Sequence, residues 1–311
     1  MAAIQTIEQV VIGKSEIVQK ALLAIFAGGN MLFEDNPGVG KTTLALTISK
    51  VLEMDYQRIQ FTPEVMPADI TGFSVLDRAT GRWTFKPGPV FCNLLLADEI
   101  NRASAKSQSA LLEAMEERHV TSDGVTRPLP APFIVLATQN PVGSTGTQML
   151  PESQMDRFMV RLSMGYPTLE DEVRILKRKE YRVEIPGPVI KQHELLHIQR
   201  EVASVHIADD VYGYIVKITG ATRENPGIRL GVSPRGTIAL TQMARAVAWL
   251  NGRDFVIPGD VRVVAVDVLA HRILLTPSAK VGGATPASMI KDILRQVEPP
   301  AVYKKRNPAH G

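Results

Sequence analysis

The chain has 311 residues, 45% of them hydrophobic and 22% charged, with a formal net charge of +3. That is an ordinary globular composition, long enough for a substantial core and for two domains, and its single cysteine excludes a disulfide framework. The charges are interspersed without a long like-charge block, so the slight basicity does not argue for nucleic acid, and the longest apolar stretch, residues 21–27, is too short to cross a bilayer.

Residues 16–26 carry Val18, Leu22 and Ile25 at helical spacing, and Gly28 with Gly29 ends that helix. Ahead of it, Val10, Val11, Ile12 and Gly13 suit either apolar contacts to a nucleotide base or the cap of a strand. The short apolar run Met31, Leu32, Phe33 then leads into residues 35–42, DNPGVGKT, which read as a P-loop. Such a loop aims backbone N–H groups into one concavity that holds phosphate oxygens, so Gly38 and Gly40 must adopt conformations closed to a Cβ. Asp35, Asn36, Pro37, Gly38, Val39, Gly40, Lys41, Thr42 and Thr43 would surround the phosphates of ATP. Lys41 reaches the β- and γ-phosphates, the Thr42 hydroxyl ligates Mg²⁺, and the following helix adds its N-terminal dipole. Asp35 stands where the GxxxxGK[ST] pattern has its first glycine, a departure expected to be tolerated because Asp accepts left-handed φ better than most residues.

Leu44, Ile48, Val51 and Leu52 form the stripe of the next helix, and residues 58–61 the next strand. Residues 71–91 alternate apolar and polar around the turn Ala79-Thr80-Gly81, a hairpin pattern. Its Trp83 and Phe85 are expected to cover a local core; the competing reading, a base-stacking platform beside Arg82 and Lys86, points to nucleic acid. Cys92, just ahead of an apolar run, reads as a small core residue.

Leu94, Leu95, Leu96 and Ala97 make a strand buried on both faces that ends in Asp98 and Glu99, a pattern that resembles a Walker B site. Carboxylates at the C-terminal end of a parallel strand lie where α/β sheets bind ligands. There Asp98 holds Mg²⁺ through water and Glu99 orients or deprotonates the attacking water; a helix-capping acidic pair is the bland alternative. A helix over 104–119, a hairpin turning at Asp123-Gly124, and a buried strand over 133–137 follow. Asn140 after that strand either hydrogen-bonds the γ-phosphate or water, or opens an Asn-Pro turn. Arg157, past a short helix, is either a salt-bridged surface residue or, in a ring, an arginine that reaches a neighbour's phosphate.

Pro167 disfavours helix at Tyr166, and Thr168 with Asp171 caps the next helix, so the core is expected to end at residue 166. Beyond it the chain reads as helical over 167–302, with a disordered basic tail at 303–311. Ser233-Pro234 starts a helix with Arg235 in its first turn; an Arg at the positive end of a helix is awkward unless an anion sits there, against the alternative of a plain surface Arg. Thr285-Pro286 repeats that cap. Residues 193–197 read HELLH, the HExxH spacing of zinc proteases. With Leu195, Ile198, Val202 and Val205 as the apolar stripe, both imidazoles face solvent, and no third ligand follows at a convincing spacing.

Taken together, EDNPGVGKTTLA from Glu34, LLLADEINRASAKSQSALLEAMEER from Leu94, VLATQNP from Val135, LPESQMDRF from Leu150 and SPRG from Ser233 resemble the MoxR family of AAA+ ATPases over nearly the whole chain. The resemblance implies an α/β fold, a P-loop αβα sandwich with a parallel sheet and two hairpin insertions followed by an all-α lid. It also implies a homo-oligomeric ring, a hexamer, with ATP at subunit interfaces. By the family pattern Glu99 is the catalytic glutamate, Asn140 sensor 1, Arg157 the arginine finger and Arg235 sensor 2. The hairpins at 71–86 and 120–126 correspond to the helix-2 and pre-sensor-1 insertions. Expected partners are a protein client, often a metalloenzyme in such families, and a von Willebrand A domain protein, in the cytoplasm with no membrane association. A nucleic-acid motor of the same clade and an AAA+ zinc metalloprotease are the rival readings.

Overall fold

The computed structural model describes residues 2–79, 81–140, 150–180 and 187–300, which fall into two compact units, Met1–Arg200 and Glu201–Gly311. The first unit thus reaches beyond residue 166, the end of the core expected from sequence. Thr80, in the expected hairpin turn, and the expected tail at 303–311 lie outside the described residues.

The first unit opens with helices α1 (Ala2–Glu8) and α2 (Ser15–Phe26). Residues 9–13 between them are turns, so the strand-cap option for Val10 to Gly13 is not realised. Strand β1 (Met31–Glu34) leads through the P-loop into α3 (Lys41–Val51) and β2 (Tyr56–Gln60). A short helix, α4 (Pro67–Thr71), precedes a hairpin of β3 (Gly72–Asp77) and β4 (Arg82–Pro87). Strand β5 (Leu94–Asp98) and helix α5 (Ala105–Glu117) come next, then a second hairpin, β6 (His119–Ser122) with β7 (Val125–Pro128). The unit continues with β8 (Ile134–Gln139), α6 (Glu152–Met155), β9 (Val160–Leu162) and α7 (Leu169–Glu180), and helix α8 (Gln192–Ser204) crosses its boundary.

Five strands form one parallel sheet in the order β2-β5-β8-β1-β9. The burial of each strand follows from its place. Leu94 to Ala97 and all of β8 are buried, as central strands covered on both faces must be, whereas β2 at the edge is largely exposed. Leu95, Ala97, Val135 and Ala137 share a cluster with Leu111, Leu112 and Met115 of α5. That helix is set by its cap: the Ser104 hydroxyl accepts from the Ser107 N–H at 3.3 Å.

The two hairpins are joined side chain to side chain. Ser74 Oγ donates to Asp123 Oδ2 at 2.5 Å, and the Arg127 guanidinium lies 3.9 Å from the Phe85 ring centroid. Phe85 also meets Phe91 edge to face, with centroids 5.6 Å apart. Trp83 departs from expectation: it is 71% exposed and covers no core, because it pairs with Leu76 near the hairpin tip, away from the joint at Ser74 and Phe85.

The second unit holds α9 (Asp209–Glu224), β10 (Ile228–Leu230), α10 (Pro234–Leu250), α11 (Pro258–Leu269), β11 (Leu274–Leu275), α12 (Pro277–Val281) and α13 (Pro286–Gln296). It is helical as expected, with one addition: β10 and β11 pair antiparallel. Ser233 and Thr285 both cap as the sequence indicates, accepting from the N–H of Gly236 and Ser288. Among the described residues no helix is long and apolar enough to cross a membrane.

Candidate nucleotide site

Three parallel strands end at one cleft of about 410 Å³, and each delivers chemistry to it. From β1 comes the loop with Gly38 at φ +85° and Gly40 at φ +100°, both in the left-handed region where glycine is favoured. Lys41, Thr42 and Thr43 line the cleft from the start of α3. Strand β5 contributes Asp98 and Glu99, and β8 contributes Asn140. The nine-residue run 141–149 that follows Asn140 is not described.

Lys41 is 8% exposed, and its Nζ donates to the carbonyls of Asp35 at 2.9 Å and Asn36 at 3.3 Å. Burial lowers its pKa from the ordinary lysine value, and Asp35, Asp98 and Glu99 partly oppose that effect. Asp98 is fixed at both oxygens: Thr138 Oγ1 donates to Oδ1 at 2.6 Å and Arg58 NH2 to Oδ2 at 2.7 Å. Glu99 has φ +56° and ψ +47°, an uncommon conformation for a residue with a Cβ, and its N–H donates to Thr138 Oγ1 at 2.9 Å. Its carboxylate accepts from Asn140 Nδ2 at 3.3 Å and pairs with Arg102 NH1 at 2.9 Å. The helix-capping option for the acidic pair is not what the side chains do.

Asp35 behaves differently from the expectation. Its φ is not in the left-handed region, so its tolerance of that region is not used. Its buried carboxylate instead accepts from Ser163 Oγ at 2.7 Å, Met164 N at 2.7 Å and Gly165 N at 3.0 Å, fastening the P-loop to the chain after β9.

A second cleft of about 290 Å³ shares Gly38, Gly40 and Thr43 with the first. Val10, Val11, Ile12 and Val39 line it with Met164, Pro167 and Ile175, an apolar wall of the kind a base needs. Gly13 does not line it; its φ is +71° and an added Cβ would lie 2.1 Å from Asp171 Oδ2, so the position serves the approach of α7. Pro37 lines the first cleft and Val39 the second, while Asn36 donates from Nδ2 to the Tyr166 hydroxyl at 3.0 Å.

The remaining candidates lie elsewhere. Arg157 pairs with Glu116 at 2.8 Å and does not line the cleft. Arg235 is exposed in the first turn of α10, in the second unit. His193 and His197 are exposed on α8, and Glu194 between them caps the helix, accepting from Lys191 N–H at 2.7 Å. Cys92 is fully buried and its thiol is pushed up to about 12, mainly by burial, which makes it a core residue.

The profile of the ATPase family associated with various cellular activities (AAA) matches residues 30–160, and that of the AAA lid domain residues 220–293. The YeaC protein of Bacillus subtilis is 46% identical over 300 residues, 96% of this chain and 94% of that one. Chaperone MoxR1 of Mycobacterium tuberculosis is 39% identical over 313 residues, 96% of this chain and 82% of the relative. The chain belongs to the MoxR family of AAA+ ATPases. A solved structure of a candidate ATPase from Cytophaga hutchinsonii has the same fold as this MoxR chain, with a TM-score of 0.89, 38% identity and coverage of 96% and 94% of the two chains.

Sequence reading of this MoxR-family chain missed Arg58, Arg102 and Thr138, which hold the carboxylates, and Met164, Pro167 and Ile175, which wall the apolar cleft. For Thr138 a signal existed, since it stands two residues before Asn140 on a strand whose end was already singled out. For Arg102 the signal was its i,i+3 spacing from Glu99, whereas Arg58 and the residues of the apolar wall are joined to the site by long-range pairing.

Proposed function

We propose that this protein hydrolyses Mg-ATP and uses the energy to remodel, assemble or activate a protein client. The observation that carries the reading is the meeting of Lys41, Thr42, Asp98, Glu99 and Asn140 at one cleft. The residues fit the nucleotide and its metal: glycines in left-handed conformations free the loop's N–H groups to face phosphate, and Thr42 with Asp98 offers the hard oxygen donors that Mg²⁺ prefers. Bound Mg²⁺ would supply charge neutralisation at the β- and γ-phosphates, held by the Thr42 hydroxyl and, through water, by Asp98. Lys41 clamps the phosphates. Glu99 orients the attacking water and takes its proton, and Asn140 steadies that carboxylate and the water. Ile12 with Val10, Val11 and Val39 covers the adenine.

Arg157 acts in this reading as an arginine finger lent to a neighbour in a homo-oligomeric, hexameric ring, exchanging Glu116 for phosphate charge. Arg235 acts as sensor 2. The name of the M. tuberculosis relative, a chaperone, supports a protein client. A metalloenzyme client and a von Willebrand A domain partner follow from the family pattern alone, and a cytoplasmic setting from the short apolar stretches of the sequence. Exposed Trp83 beside Arg82 favours nucleic acid as a second reading. Retention of DNA or RNA with a steep salt slope would support it.

Phosphate release from Mg-ATP tests the hydrolytic step. Glu99→Gln should bind ATP and lose about 10²- to 10⁴-fold in kcat; undiminished turnover would place the base elsewhere. Capture of cell proteins on ATP-locked Glu99→Gln then identifies the client.

A further inference from the structure

Thr138 is almost fully buried, at 1% exposure, and its side chain is bonded to both acidic residues at the end of β5. Its hydroxyl donates to Asp98 Oδ1 at 2.6 Å and accepts the Glu99 N–H at 2.9 Å. A hydroxyl has one proton and two lone pairs, so these two bonds are chemically compatible and fix its rotamer. The first bond sets which way the Asp98 carboxylate turns. The second holds the peptide of Glu99 in a left-handed conformation that a residue with a Cβ adopts only when its surroundings impose it. Two residues further on, just past the end of β8, Asn140 meets the Glu99 side chain.

We propose that Thr138 is a positioning residue of the nucleotide site, the strut that presents Asp98 to the metal and Glu99 to the attacking water. This rests on the proposed reading of the cleft as a Mg-ATP site. Neither the Arg58 nor the Arg102 side chain can substitute for it: each reaches one carboxylate from the solvent side, with 45% and 40% of its side chain exposed, and the Arg102 main-chain N–H meets the Glu99 carbonyl at 2.9 Å rather than the Glu99 N–H that Thr138 accepts. Partners of this kind orient the groups that hold a metal, and their loss usually lowers metal affinity or activity by about 10- to 100-fold.

The test compares the wild type with Thr138→Val, which keeps the branched shape and deletes the hydroxyl, and Thr138→Ser, which keeps the hydroxyl. Mn²⁺ serves as the probe, its binding to the protein–ADP complex followed by electron paramagnetic resonance, and fluorescent ADP in EDTA reports nucleotide affinity without metal. Thr138→Val should bind ADP in EDTA within about twofold of wild type, bind Mn²⁺ about tenfold more weakly and lose kcat with little change in the ATP KM, in line with the effect of lost outer partners. Thr138→Ser should recover both to within about threefold. Wild-type Mn²⁺ affinity in Thr138→Val would overturn the proposal, and so would a Thr138→Ser protein as impaired as Thr138→Val, which would make the role one of packing. If Thr138→Val does not fold, Thr138→Ala carries the same expectations. Should the wild type itself bind no Mn–ADP, the reading of the cleft fails, a result distinct from failure of the strut alone.

Discussion

Lys41 brings the charge that phosphate binding needs, and the fold keeps that charge on the loop's own carbonyls at Asp35 and Asn36. Its burial means that Lys41→Ala removes both the cation and the filler of a tight space, so ATP affinity should fall below detection in a titration that shows micromolar binding for the wild type. A variant that still binds like wild type would remove the P-loop assignment. Cys92 makes a prediction of a different kind. Its folded-state pKa is raised from 9.0 to about 12, so the neutral thiol is the favoured form in the native protein. The associated stability is present below pH 9 and is lost as pH rises from 9 toward 12, where the unfolded chain ionises first. A thiol reagent should therefore leave native Cys92 unlabelled at pH 8 and label it after denaturation; rapid labelling of the native protein would contradict its core position. Glycine spacing, the lysine after it and the acidic pair were legible in sequence because each motif is local. Thr138 and Arg58 were not, because their partner Asp98 is 40 residues away along the chain.

At the scale of elements, the P-loop is held by more than its own turn. Asp35 fastens it to residues 163–165 through three hydrogen bonds to a buried carboxylate. This makes an unusual prediction. Asp35→Gly restores the consensus glycine of the motif yet should destabilise the protein by about 2–4 kcal/mol, since it strands a hydroxyl and two N–H groups and frees the loop. The melting temperature should fall by roughly 5–15 °C at the usual conversion, and a rise would show that the staple carries no stability. The two hairpins show the same limit of local reading. Their turns and alternation were legible, but the Ser74–Asp123 bond and the Arg127–Phe85 contact that join them were not. Nor was the exposure of Trp83, which depends on how far the hairpin tip extends from that joint. Similarly, the paired strands β10 and β11 are only three and two residues long, too short to show alternation within a helical region.

At the scale of the whole molecule, ordered motifs along the chain fixed the family, and the sheet order with three strands ending at one cleft gives the site its geometry. What remains for assembly is Arg157, which here pairs with Glu116 outside the cleft. If it serves a neighbour's nucleotide, Arg157→Ala should keep ATP binding and lose about 10³- to 10⁵-fold in turnover. Mixing it with Lys41→Ala should then restore part of the activity, because one variant supplies the nucleotide site and the other the arginine. Absence of any recovery, with full turnover by a strictly monomeric wild type, would refute the in-trans role.

The proposed function requires the cleft at the ends of β1, β5 and β8 to bind phosphate. Calorimetric titration of the purified wild-type protein with ATP, with and without Mg²⁺, tests this most directly. Saturable binding of one ATP per chain, strengthened by Mg²⁺ and abolished in Lys41→Ala, is the predicted result. A folded wild-type protein that takes up no adenine nucleotide at any Mg²⁺ concentration would contradict it.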